Sequence, residues 1–313
     1  MFAQNCTEAL NLALHGILRE GDHVVTTQVE HNSIMRPLAH LVRERGIRIT
    51  TVEADSTGLV SLEQLESAVT GETRLIAITH ASNVTGVVQP IAKVGRIAKE
   101  RDCLLLVDAA QTLGHVPVDV EADHIDLLAA PGHKGLLGPL GTGFLYIQPG
   151  LETELRELHQ GGTGTSSELL DQPQQLPAKY ESGNANVPGL FGLDAGVKFV
   201  LSENAMESSN LRDLTATTID ALSSVSNVKV YSQPNPCGIV SFNVEAFDPR
   251  EVATMLDGAA GIEVRAGLHC APGIHRLLGT FDSGGCVRAS FGHFSSNDCV
   301  KQLVEAVSML ADS

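Results

Sequence analysis

The sequence predicts an α/β protein organised around a largely parallel sheet, and three observations predict it. Apolar runs such as Arg74–His80 and Cys103–Val107 alternate with helical patterns such as Asn32–Arg45 and Ile91–Glu100. Strands so continuously apolar are covered on both faces, as parallel strands are beneath their crossover helices. Polar residues recur where each run stops, which is where open α/β sheets gather ligand-binding groups. The 313 residues suffice for about two domains, and 43% hydrophobic residues with 30 glycines and no tryptophan is ordinary for a globular α/β chain.

Charge and cysteine usage narrow the function classes. A net charge of -16 argues against nucleic acid or an anionic membrane surface as partner. No apolar run is long enough for a membrane span, and no charged leader precedes Arg19. The six cysteines are irregularly spaced, form no disulfide framework and suit reduced thiols in a cytoplasm.

Taken in order, Phe2–Asn5 runs straight into a helix signal at Thr7–Leu14, with no element of its own before it, and Gly21 ends that unit. Asp22–Thr27 reads as a strand, Asn32–Arg45 as a helix stopped at Gly46, and Ile47–Ala54 as the next strand. Ser61-Leu62-Glu63-Gln64 has capping-box spacing before a short helix. Arg74–His80, Cys103–Val107, Ile125–Ala130 and Gly143–Ile147 are further strands, with Ile91–Glu100 a helix among them. From Leu151 the character changes: a glycine-rich loop over Gly161–Ser167 and a Gln/Pro-rich stretch over Asp171–Pro177 precede a helix at Val187–Leu201. Beyond it stand a helix near Asn210–Leu222, strands Val228–Ser232 and Ile239–Val244, a helix after Asp248-Pro249, strands Ile262–Ala266 and Cys286–Ser290, and a closing helix Asp298–Leu310. This divides the chain into a large domain, 1–200, and a smaller C-terminal α/β domain, 201–313, that carries Cys270 and Arg288.

The stretch between Ile125–Ala130 and Gly143–Ile147 contains Gly132-His133-Lys134-Gly135 among many further glycines. Glycine lets backbone approach a ligand closely, and burial lowers a lysine's pKa until it is a usable amine nucleophile, the state that forms a Schiff base. The other strand ends supply Glu30-His31-Asn32, the run His80–Gly86 with Asn83, and Asp108-Ala109-Ala110-Gln111. If Lys134 carries an aromatic aldehyde as an imine, these groups acquire defined jobs. Asp108 keeps a ring nitrogen protonated, as an electron-sink pyridine requires. Gln111 or Asn83 bonds the phenolic oxygen, and His31 stacks on the ring. Thr7 and the helix amides beginning there, with His133, bind a phosphate at a helix N-terminus. That is an arrangement for pyridoxal phosphate. Singly each residue has a plainer role (Asp108 a helix cap, Asn83 a turn residue, His31 a helix start), but their joint occurrence at one sheet edge favours a site.

The blocks Asn5–Leu14, Glu30–Ser33, Thr79–Gly86, Val107–Thr112, Gly132–Gly135, Arg265–Pro272 and Val287–Ser290 occur in order along essentially the whole chain. Together they resemble the class V aminotransferase family, in its cysteine desulfurase and selenocysteine lyase branch. The resemblance implies a homodimer of the fold type I transferases dependent on pyridoxal phosphate, with a mostly parallel sheet of the seven-stranded type. It implies conversion of L-cysteine to L-alanine, with the sulfur left as a persulfide for an acceptor protein. Lys134 matches the Schiff-base lysine, Asp108 the ring-nitrogen partner, His31 the stacking histidine, Thr7 and His133 phosphate ligands, Arg288 the substrate-carboxylate arginine, and Cys270 the sulfur acceptor. Asn83 is matched to cofactor or substrate, and Cys270 depends on His269 or Arg265 for activation.

Family members carry a longer N-terminal segment, so the resemblance also implies truncation there. Pro131 and Asn184 depart from a hydroxyl residue and a threonine frequent in relatives. A selenocysteine lyase, an aminotransferase, an epimerase and an inactive truncated product are the alternatives; of these, only desulfuration of cysteine by this route requires the Cys270 thiol. His269-Cys270 with His275 fits no common zinc spacing, so no metal is expected. Cys103, Cys237, Cys286 and Cys299 read as small buried hydrophobes, and Cys6 as a helix-start residue beside the phosphate loop.

Overall fold

The computed structural model describes residues 1–202 and 210–312. Five strands run parallel: β2 (His23–Thr27), β3 (Arg48–Val52), β4 (Thr73–Thr79), β5 (Leu104–Asp108) and β6 (Leu127–Pro131). β7 (Gly143–Ile147) returns antiparallel to β6, and β1 (Phe2–Ala3) adds antiparallel to β7. The result is a seven-stranded sheet in the order β1-β7-β6-β5-β4-β2-β3.

Helices cover both faces, as the apolar runs demand. α1 (Cys6–Ile17) begins where the Asn5 side chain accepts from the Glu8 amide. α2 (Asn32–Arg45) ends at Gly46, whose φ of 60° suits glycine. α3 (Leu62–Ala68) is capped by Ser61, and α4 (Ile91–Glu100) follows Pro90. Successive strand residues point to opposite faces. Leu75, Leu106 and Leu127 therefore pack with Leu10, Leu14 and Leu38 of α1 and α2. Their neighbours Ile76, Leu105 and Leu128 pack with Leu65 and Val94 of α3 and α4.

After α5 (Val187–Val200) the chain forms a second sheet. Strands β8 (Val228–Val230), β9 (Ile239–Val244), β10 (Arg265–Gly267) and β11 (Cys286–Ser290) pair antiparallel in the order β10-β11-β9-β8. Its core gathers Leu214 of α6 (Leu211–Ser223), Val252 of α7 (Pro249–Ala260) and Val307 of α9 (Asn297–Ala311) around Phe242. α7 carries a full capping box between Asp248 and Glu251. The other side of this sheet meets the large one: Cys286 joins the core of β4 and β5, and Ser241 Oγ donates to the Val84 carbonyl at 2.6 Å.

Two sequence expectations, the strand at Ile262–Ala266 and a buried Cys299, need correction, and two short elements take definite bounds. Phe2–Ala3 is a strand, paired Phe2↔Phe144 and Ala3↔Gly143. The strand expected at Ile262–Ala266 begins pairing only at Arg265, because Ile262 and Val264 pack into the helical core instead. A short helix, α8 (Pro272–Leu277), follows the Cys270 block. Cys299 is exposed, beside the Ser296 hydroxyl, rather than buried. Among the described residues no helix is long and apolar enough to cross a membrane.

Candidate active site

The carboxyl ends of β2, β4, β5 and β6 and the N-terminus of α1 converge on one open cleft of about 580 Å³, its mouth included. Its walls include Thr7, His31, Asn83, Asp108, Gln111, His133 and Lys134, so seven residues singled out from sequence share a single space. Cys270 and Arg288 do not line it; both belong to the small-sheet side and are linked to it through Asn83 and Asn32. The Arg288 guanidinium donates to the Asn83 carbonyl at 2.9 Å, and the Asn83 side-chain amide donates to the His269 carbonyl at 2.7 Å. The Cys270 carbonyl accepts from the Asn32 amide at 2.7 Å, directly beside His31.

Lys134 is open to the cleft rather than packed away. Its pKa is nonetheless lowered, first by desolvation and further by the Arg288 and Arg265 charges, against the opposing pull of Asp108. Asp108 sits at the end of β5, buried, and accepts from the Ala110 amide at 2.9 Å and from the Cys6 thiol at 3.5 Å. Burial and that carboxylate push the Cys6 thiol well up, so it stays protonated.

His31 caps α2: its Nδ1 accepts from the Ser33 amide at 3.1 Å, which leaves the proton on Nε2. The Ser33 hydroxyl lies 2.8 Å from that Nδ1 and 2.8 Å from the Thr7 hydroxyl, bridging two helix starts. Burial lowers the His31 and His133 pKa values, so both rings are neutral at physiological pH. Arg288 is half-buried, and its Nε has no hydrogen-bond partner among the described residues. A guanidinium left partly unsatisfied beside a cleft is a receptor for a carboxylate.

Two contributors were quoted in the sequence reading without a role of their own. Ser33 was quoted only as part of a block, although a hydroxyl immediately after a helix cap signals local hydrogen bonding. Glu30 is fully buried behind Thr79, which lines the cleft, and its Oε1 accepts from the Thr27 hydroxyl at 2.5 Å and the Thr79 amide at 3.0 Å. Desolvation lifts its pKa to about 8, so it is mostly a neutral acid at pH 7.

A two-sheet α/β protein with a depressed-pKa lysine, a buried carboxylate and an anion-receptive helix start at one sheet edge has the architecture of the fold type I transferases. The chain belongs to the class-V aminotransferase family, whose profile matches residues 1–303. It is similar to a probable cysteine desulfurase of Methanothermobacter thermautotrophicus, with 39% identity over 99% of this chain and 79% of that protein. Among solved structures it is similar to the apo cysteine desulfurase of Thermococcus onnurineus, with TM-score 0.89, 34% identity, and coverage of 100% of this chain and 79% of that one. An Escherichia coli cysteine desulfurase determined as its S-sulfonic acid superposes with TM-score 0.92 at 27% identity, covering 100% of this chain and 78% of that one.

Proposed function

We propose that this chain is a pyridoxal phosphate-dependent cysteine desulfurase. The observation that carries the reading is the tether between Cys270 and the cleft, Asn83 holding the Cys270 turn on one side and Arg288 on the other. The residues present fit the cofactor. Orphaned Arg288 Nε awaits an anion, Thr7 and the α1 N-terminus offer donors to a phosphate, and Asp108 offers the one carboxylate a protonated ring nitrogen needs.

When bound, pyridoxal phosphate supplies an electron sink for charge developing at the substrate Cα. Lys134, with its lowered pKa, would be the residue that holds the cofactor, and its amine would be the base for the substrate Cα proton. Thr7 and His133 would hold the phosphate, His31 would face the ring, and Gln111 and Asn83 would orient it. Arg288 takes the substrate carboxylate bidentately. The Cys270 thiolate attacks the substrate sulfur: an S–S bond forms, the Cβ–S bond breaks with its electron pair left on carbon, and protonation there completes alanine. The surface exposure of Cys270 lets a protein acceptor reach the persulfide. All six cysteines are free, as in a reducing cytoplasm. Exposed Leu140, Phe191 and Phe294 supply apolar surface for a homodimer.

The test is an absorbance spectrum of the purified chain with L-cysteine, repeated on Lys134→Ala and Cys270→Ser. The reading expects a visible cofactor band lost in Lys134→Ala, and alanine with reducible sulfur formed only when Cys270 is present. Alanine and sulfide formed equally by Cys270→Ser would overturn it.

A further inference from the structure

Beneath the Cys270 turn, three side chains from separate segments meet: His269 after β10, His275 in α8 and Cys286 at the start of β11. One ligand-capable atom of each lies within 4.8 Å of the others, and His275 and Cys286 are fully buried, with His269 only 9% exposed. Hydrogen bonding fixes which nitrogen of each ring faces the group. His269 Nε2 lies 3.4 Å from the Arg265 carbonyl, which can only accept, so Nε2 carries the proton and the Nδ1 lone pair faces Cys286 Sγ at 3.9 Å. The Thr280 hydroxyl donates to the His275 carbonyl at 3.4 Å and accepts from His275 Nδ1 at 2.7 Å. That leaves the His275 Nε2 lone pair buried with no partner among the described residues. An unsatisfied buried nitrogen calls for an explanation.

We propose that His269 Nδ1, His275 Nε2 and Cys286 Sγ form a binding site for a borderline-to-soft divalent cation of the zinc class. Two imidazoles and a thiolate are a zinc-type donor set, with metal–nitrogen bonds of about 2.0–2.1 Å and a metal–sulfur bond of about 2.3 Å. A nitrogen–sulfur separation of 3.9 Å closes onto such an ion with only small movements. The outer shell is already in place, because each imidazole gives its other N–H to an oxygen, the arrangement that orients metal-ligating histidines. The binding step balances simply: Cys286 loses its thiol proton to solvent, a sulfur–metal bond forms, and one positive charge of the dication is neutralised. That neutralisation matters because Arg288 stands near His269. The site is separate from the cleft and needs nothing from the proposed activity. Sequence spacing hid it, since Cys286 joins the two histidines only through the β10–β11 pairing.

The test loads the holoenzyme anaerobically with Zn²⁺ against a chromogenic chelator and records zinc-edge X-ray absorption. One tightly held equivalent is expected, with one sulfur and two imidazole scatterers. Cys286→Ser loses the sulfur scatterer, and Cys270→Ser keeps it. Thr280→Val, which removes only the outer-shell partner of His275, weakens binding by roughly 10–100-fold. Circular dichroism establishes that each variant is folded. No stoichiometric zinc in the folded wild type, or a sulfur scatterer that disappears with Cys270→Ser and survives Cys286→Ser, would overturn the proposal.

Discussion

Glu30 gives the sharpest quantitative expectation. Its carboxyl is fully buried, Oε1 is occupied by Thr27 and Thr79, and Oε2 has no partner among the described residues, so the proton resides on Oε2. Desolvation, helped by the neighbouring Asp108 charge, raises the pKa from the ordinary 4.5 to about 8. The sign is opposite to that of a salt-bridged acid. Between these values the folded state binds the extra proton, so stability falls as pH rises from 4.5 toward 8 and levels off above. The loss is about 1.4 kcal/mol per pH unit and on the order of 5 kcal/mol in all. Glu30→Gln is isosteric with the protonated acid, keeps an oxygen for Thr27 and Thr79, and cannot ionise. Urea denaturation from pH 5 to pH 9 is therefore expected to show the variant gaining steadily on wild type and leading by several kcal/mol at the alkaline end. A difference between the two proteins that is constant with pH would refute protonation of Glu30 on folding.

Two further outcomes follow from the geometry. Ser33→Ala removes the hydroxyl shared by Thr7 and His31 but leaves the Ser33 amide bond to His31; cofactor affinity is expected to fall about tenfold, the worth of roughly one hydrogen bond, by equilibrium titration with pyridoxal phosphate. Gly273→Ala would set a Cβ 2.1 Å from the Gln28 carbonyl oxygen, so α8 must move and carry the Cys270 turn with it. That variant is expected to lose about 1–3 kcal/mol in urea denaturation and most of its alanine-forming rate, with the cofactor spectrum retained.

Legibility in the sequence followed how local each determinant is. Helix α2 ends where Gly46 says it must, and α4, β7, β9 and β11 match their apolar runs, because caps and periodicity act within a few residues. Strand β1 is only two residues long, and its bounds are set by β7 beside it rather than by any local pattern. The cleft residues were readable because parallel topology sends every strand end to one edge. The roles of Glu30 and Ser33 were not, since burial of the one and the double contact of the other depend on where β2, β4 and α1 lie in space. Lys134 illustrates both sides: its neighbours named it, yet its openness to the cleft is a property of the surrounding loops.

The turn at His269 and Cys270 joins these strands of argument. Both residues adopt positive φ, 48° and 57°, and Gly267, one residue before them across Leu268, has φ 118°. Two non-glycine residues in the left-handed region cost on the order of 1–3 kcal/mol each, and such geometry persists only where surroundings over-determine it. The surroundings here are bonds from Asn32 and Asn83 to the two carbonyls, with Asn83 itself gripped by Arg288. At roughly 0.5–1.5 kcal/mol apiece these three bonds are of the size needed to offset much of that strain. The two donors to these carbonyls belong to the large-sheet side, Asn32 at the start of α2 and Asn83 on the loop after β4, so the strained turn is stable only while the small sheet sits against the large one. Asn83, singled out from sequence as a ligand of the cofactor or substrate, is thus also the clamp that holds the His269–Cys270 turn against the cleft wall. A substitution there is expected to disturb both at once, which sets it apart from residues that only line the cleft.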